Sequence, residues 1–216
     1  MFWKDASAFM PILLEGLRLT IVVTLGSLLL STLLGLVWAL MRVSGYRVLV
    51  WIAKSVVNVI RGIPILVLLF YIYFVMPELG VTLTAVQAAI IGLGIAYSAY
   101  QAENFRAGIE AIDHGQIEAA QSLGMGWGMM MRRVVLPQAV RIVLPPYGNT
   151  MVMMLKDSSQ ASTITVAELA LKGQMLAAST FKNSTVFTLV ALLYLVMSVP
   201  LILLVGWLER RTRQRR

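Results

Sequence analysis

Cysteine is absent and histidine occurs once, at His114. Disulfides, thiol nucleophiles and cysteine metal sites are thereby excluded, and a lone histidine gives a serine–histidine or metal mechanism little material. Charge is also scarce. Of 216 residues, 13% are charged and 59% hydrophobic, with a mean hydropathy of +0.81. A soluble domain usually carries about 25% charged residues, so this chain is expected in a bilayer. The net charge of +8 does not form a nucleic-acid face. Arg210, Arg211, Arg213, Arg215 and Arg216 end the chain, and other basic residues cluster between apolar segments. That is the pattern of membrane orientation. No G-x-x-x-x-G-K-[ST] phosphate loop is present, so the chain is not expected to hydrolyse ATP or to hold a cofactor.

What the chain does have is long apolar runs. About 20 apolar residues make a helix that crosses a hydrocarbon core. Five such spans are expected, over 19–41, 56–76, 79–102, 136–155 and 183–208. Gly62 and Pro64 interrupt the second, Pro145 and Pro146 lie in the fourth, and Pro200 bends the fifth. The first runs into Arg42 without a small-residue cleavage site and reads as an uncleaved anchor. The expected fold class is all-α and polytopic, a single transmembrane domain over 1–216 with a cytoplasmic loop at 113–137 and a basic tail at 209–216. Arg42, Arg47 and Lys54 lie between spans one and two, and Arg106, Arg132 and Arg133 between three and four. Positive residues prefer the cytoplasm, which places the N-terminus outside and the C-terminus inside. Met129 to Met131 and Met151, Met153 and Met154 read as lipid-facing or packing residues.

The loop before span four has its own pattern. Good helix formers fill 117–123, and Gly124, Gly126 and Gly128 then interrupt them. A second short helix is expected over 127–133, and Pro137 suits the first turn of a third. The result is a compact knob able to fit a groove. Ala119 and Ala120 are small enough for close approach to a partner. Glu118 either pairs with a base across that contact or caps a nearby amide. His114 reads as a loop-surface residue.

Polar groups inside the spans are the other candidates. A charge near the bilayer centre costs about 2.5–3.5 kcal/mol on insertion scales and persists where it meets a partner or a water-filled path. Arg61, Gln101, Glu103, Asn149, Lys156, Asp157, Ser158 and Ser159 form the candidate path. Both signs of charge with several hydroxyls match the two ends of a zwitterion. A structural reading stays open beside this one. Glu103 has Arg106 at i+3, Lys156 and Asp157 mark the outer end of span four, and Arg61 snorkels from the inner end of span two.

The loop spacing is Glu118-Ala119-Ala120, three residues, Gly124, nine residues, Val134, one residue, Leu136-Pro137. It resembles the "EAA" loop of permease subunits of bacterial ATP-binding-cassette (ABC) importers, with Val134 in place of the usual isoleucine. Further segments resemble the polar amino-acid branch of that family: Arg61-Gly62-Ile63-Pro64, Ala99-Tyr100-Gln101-Ala102-Glu103, Arg106-Ala107-Gly108-Ile109, Leu144-Pro145-Pro146, Gly148-Asn149, Lys156-Asp157-Ser158-Ser159 and Glu168-Leu169. The resemblance covers 17–211. It implies the five-helix core of type I importers in the bacterial inner membrane, with alternating access. It also implies that Gly115, Glu118, Ala119, Ala120, Gly124, Leu136 and Pro137 belong to a loop that docks on a cytoplasmic ATPase dimer. ATP and Mg belong to that partner. A second permease, the same chain or a paralogue, and a periplasmic or lipid-anchored binding protein complete the assembly, with the lipid bilayer around it and no nucleic acid. Two alternatives remain at this stage. A self-sufficient secondary transporter explains the intramembrane charges but leaves the loop unexplained. The same importer class could instead carry a compatible solute such as ectoine.

Overall fold

The computed structural model describes residues 2–213. Every regular element among them is helical. Helix α1 (Phe2–Val43) is followed by α2 (Arg47–Gly62) and α3 (Ile65–Phe70). A π turn (Tyr71–Val75) and a 3-10 turn (Met76–Leu79) lead to α4 (Ala85–Glu110). Then come α5 (His114–Ser122), α6 (Trp127–Met130), a π turn (Met131–Val135) and α7 (Leu136–Asp157). A 3-10 segment (Ser158–Ile164), α8 (Leu169–Thr180) and α9 (Asn183–Arg213) complete the chain. Of the basic tail expected over 209–216, residues 214–216 lie outside the described residues.

The first helix starts 17 residues before the expected span, at Phe2 rather than residue 19. Its two early acids are paired across space, which a hydropathy reading does not see. Asp5 binds Lys182, and Glu15 accepts from Lys172 at 3.0 Å. At a rise of 1.5 Å per residue, 42 residues span about 63 Å, well beyond a hydrocarbon core of roughly 30 Å.

The expected second span, 56–76, is not one rod. The pair Arg47–Gly62 and Ile65–Leu79 is bent by 99°. Proline has no amide proton and pushes the residue before it out of helical geometry. Ile63 accordingly sits at φ −101°, ψ 129° ahead of Pro64, and the helix restarts at Ile65. By length and composition, Phe2–Val43 and Asn183–Arg211 are apolar enough to cross a membrane singly among the described residues, and the bent pair makes a third if counted as one.

The core seam joins α1 to α4. The buried face of α1 is built from small residues, Gly16, Thr20, Ser27, Ser31, Gly35 and Ala39. The facing helix buries Gly92, Gly94, Ser98, Ala99 and Ala102. Lipid offers apolar side chains no advantage over each other, so helices in a bilayer gain by close packing of small residues. Thr84 opens α4 with a capping box, accepting from the Gln87 amide while the Gln87 side chain accepts from the Thr84 amide. Leu69, Ile72, Leu93, Tyr97, Met154 and Ile164 form an apolar cluster over this seam. Met154 is fully buried there, whereas Met153 is exposed, so the two methionine roles expected from the sequence occur side by side.

Candidate coupling knob and polar clusters

The 113–137 loop folds as two short helices around a glycine turn. Asp113 caps α5, its Oδ1 accepting from the Gly115 amide at 2.7 Å. A methyl group on Gly115 would sit 2.9 Å from that same oxygen, the tip of a flexible side chain that can give way. Gly124 follows α5 at φ +72°, the left-handed region that side chains with a Cβ resist. Nothing lies within 4 Å of where its Cβ would be, so the requirement is backbone geometry and not space. The tip is apolar and uncovered, with Leu123 77% and Trp127 57% exposed.

Two details differ from the sequence reading. Ala120 is buried and packs against the loop's own small core of Ile112, Met130, Met131, Val135 and Ala139. Its small size serves close approach inside the chain, while Ala119 on the same helix is exposed. The second helix does not stop before Pro137 either. It runs through the Met131–Val135 π turn into α7, with Leu136 and Pro137 in the first turn of α7. A wider π turn leaves a backbone acceptor unused, and that is where a proline is tolerated. The knob is thus continuous with a long helix, from 127–130 through the π turn into α7. Glu118 is exposed and, among the described residues, joins no ion pair. The cap expected as one of its two roles belongs to Asp113. His114 is exposed at the start of α5.

The candidate path residues separate into two groups. Glu103 sits just past the third expected span and gathers three arginines. Its Oε2 accepts from Arg106 Nε at 3.0 Å and Nη2 at 2.8 Å, its Oε1 accepts from Arg42, and Arg61 lies 3.7 Å away. Arg106 also reaches Glu110. The local pair with Arg106 was legible at i+3; the ties to the ends of α1 and α2 were not. Gln101 is fully buried nearby, and its carbonyl oxygen accepts from Asn104 at 3.2 Å.

Replacing Glu103 by alanine leaves three guanidinium groups facing one another where α1, α2 and α4 meet. The expected loss is about 2 kcal/mol, between an exposed pair and a buried one, read as a lower Tm in detergent.

The second group lies at the far end of α7. Asp157 Oδ2 accepts from Tyr97 Oη at 2.6 Å. Ser158 is fully buried and donates to the Leu155 carbonyl at 2.7 Å, and Ser159 donates to the Lys156 carbonyl at 2.8 Å. Both hydroxyls hold the helix end, and Lys156 is exposed. Asn149 belongs to neither group; its Nδ2 donates to Glu209 at 3.4 Å.

One charged residue enters the sequence reading only through the Glu168-Leu169 resemblance, with no site role. Glu168 is fully buried and caps α8. Its carboxylate accepts from the amides of Ala170 at 2.9 Å and Leu171 at 2.8 Å, from Tyr194 Oη at 2.9 Å and from Thr20 Oγ1 at 3.4 Å. It ties α8 to α1 and α9. An acid just ahead of the apolar Leu169–Thr180 helix was the available signal.

Comparison with known proteins follows the same lines. Residues 31–214 match the family described as binding-protein-dependent transport system inner membrane component. The chain is 39% identical over 191 residues to a probable amino-acid ABC transporter permease protein, YckA, of Bacillus subtilis, covering 88% of this chain and 84% of that one. It is 36% identical to the probable glutamine ABC transporter permease protein GlnM of the same organism, over 92% of both chains. It is 38% identical to the L-cystine transport system permease protein TcyB, covering 94% and 88%. Among solved structures, an amino acid ABC transporter determined with histidines superposes with a TM-score of 0.89 at 37% identity, covering 96% of this chain and 97% of that one. The inward-facing MetNI methionine ABC transporter superposes at 0.78 with 22% identity, covering 94% and 97%, which is a likeness of fold. With an all-helical type I permease fold and a family match over most of its length, the chain belongs to the inner-membrane components of binding-protein-dependent transport systems and is a permease subunit of an ABC importer.

Proposed function

We propose that this permease carries polar amino acids or similar zwitterions, and that the α5–α6 knob docks on a cytoplasmic ATPase. Five crossings, by α1, the bent α2–α3 pair, α4, α7 and α9, put the N-terminus outside and the C-terminus in the cytoplasm. The basic residues Arg42, Arg47, Lys54, Arg106, Arg132 and Arg133 then share the side of the knob, as the charge bias in membrane proteins requires. A binding protein delivers substrate from outside. ATP is bound and hydrolysed, with Mg, by two copies of the partner. This chain contributes to a pair of permeases that opens alternately to either side.

The observation that carries this reading is the knob. It holds a small core of its own, presents Leu123 and Trp127 to solvent, and is joined to α7 without a break. An exposed apolar tip on a rigid stem is what a partner groove takes up. Movement of the partner then becomes movement of α7, which carries Asn149, Lys156 and Asp157. The amino-acid assignment is supported by the names of the relatives and by the opposite charges along the candidate path.

Reconstituted uptake tests it. Liposomes holding the chain with its ATPase, given binding protein outside and ATP inside, should accumulate a labelled polar amino acid. Omission of either ATP or the ATPase should reduce uptake to the leak rate. Uptake that persists without the ATPase would return the chain to the secondary-transporter reading.

A further inference from the structure

Near the knob, an open cavity of about 770 Å³ lies between the α4–α5 junction, α7 and α9, and none of the steps above uses it. Its polar wall is formed by Asp113, Gln138, Arg141 and Arg211, and its apolar wall includes Ile142 and Trp207. We propose that this cavity holds the headgroup of an anionic phospholipid. The proposal rests on the orientation given above only for the choice of leaflet, the cytoplasmic one.

Charge and depth both point to that occupant. Arg141 and Arg211 bring two guanidinium groups to the cavity wall, and Asp113 brings one carboxylate, whose Oδ1 accepts from the Gly115 amide. Glu209 is turned toward Asn149 and does not line the cavity. The wall is therefore net cationic. Arg211 stacks over the Trp207 ring at 4.2 Å, which fixes the guanidinium plane while leaving its edge for a phosphate. Trp207 comes at the end of the long apolar run of α9, where tryptophan marks the membrane–water boundary. A phosphate diester at that boundary lies level with Arg211, and its acyl chains continue along the apolar wall. Basic residues close to the cytoplasmic surface attract anionic headgroups, and here the attraction has a shaped cavity in which to act.

The test is native mass spectrometry of the full-length chain taken from nanodiscs of equimolar phosphatidylglycerol and phosphatidylcholine. The wild type should retain phosphatidylglycerol in preference to phosphatidylcholine. Arg211→Gln should reduce that preference roughly fivefold, the amount one surface arginine contributes. Arg211→Lys, which keeps the charge, should retain most of it. Arg132→Gln, on the basic loop outside the cavity, should leave it unchanged. The proposal is overturned if the wild type shows no preference, or if Arg132→Gln and Arg211→Gln reduce it equally, which would indicate diffuse attraction. Retention by the isolated chain that disappears in the assembled transporter would also overturn it, assigning the cavity to a subunit contact. Lipid retained by a chain that binds no ATPase would refute the docking reading and leave this one standing.

Discussion

Glu168→Ala should leave little folded protein. The substitution removes one acceptor group that four donors share. The amides of Ala170 and Leu171 lose the cap of α8, and the hydroxyls of Thr20 and Tyr194 lose their carboxylate. A lost cap costs about 1 kcal/mol. Each buried donor left without a partner costs about 1–3 kcal/mol more. The site is closed, with Glu168 fully buried and the α1 backbone at Gly16 packed against it. A methyl group on Gly16 would stand 2.9 Å from the Leu169 Cα. The combined loss exceeds roughly 3 kcal/mol, a large share of the 5–15 kcal/mol typical of folded domains. The expected result is a sharp fall in monodisperse protein after size-exclusion in detergent. Glu168→Gln keeps one acceptor oxygen and should retain a measurable melting transition at lower temperature. A normal yield and Tm for the alanine variant would show that the donors find other partners.

Gly35→Val should be nearly as damaging, for a steric reason. A Cβ at this position meets the Gln101 Cβ at 2.7 Å, the Ser98 carbonyl oxygen at 3.0 Å and the Ala102 amide nitrogen at 3.1 Å. Two of these are backbone atoms and the third is anchored to the backbone, so none can swing aside. The α1–α4 seam must open. Overpacking of this kind costs about 1–3 kcal/mol in soluble cores, and more where backbone is in the way. In a bilayer, where close packing itself drives association, the separated helices recover little. Gly206→Val is the control, because nothing lies within 4 Å of a Cβ there. The expected pattern is a drop in Tm of several degrees for Gly35→Val, together with reduced transport, and no change for Gly206→Val. Equal Tm values for both would contradict the packing assigned to the seam.

These two sites mark the boundary of what could be read from sequence. The bounds of α7 were legible almost to the residue, since 136–155 and Leu136–Asp157 nearly coincide, although its hydropathy is not that of a span able to cross a membrane singly. The knob followed from helix formers and the three glycines that interrupt them, of which Gly124 takes the left-handed turn. Both are local properties. The misread features depend on partners distant in the chain. Asp5 and Glu15 argue against a buried helix only until Lys182 and Lys172 are brought beside them. Pro64 signalled an interruption, but a 99° bend depends on how the two pieces pack. Ala120 looks like a contact residue until the loop's own core closes over it. Glu103 showed its neighbour Arg106, while Arg42 and Arg61 arrive from other helices. Glu168 carried the least signal for its importance, because a buried cap shared by three helices has no spacing rule.

The central claim is that the Glu118 loop is the face on which an ATPase docks. The most direct measurement is purification of the tagged chain from its native membrane in mild detergent, with mass spectrometry of what accompanies it. Gly124→Trp is carried alongside, because at φ +72° any side chain strains the turn while the spans remain untouched. The expected result is an ABC ATPase that co-purifies with the wild type and is lost from a variant that stays folded and monodisperse in detergent. A folded wild type that brings down no ATPase, or a Gly124→Trp variant that keeps it fully, would contradict the claim.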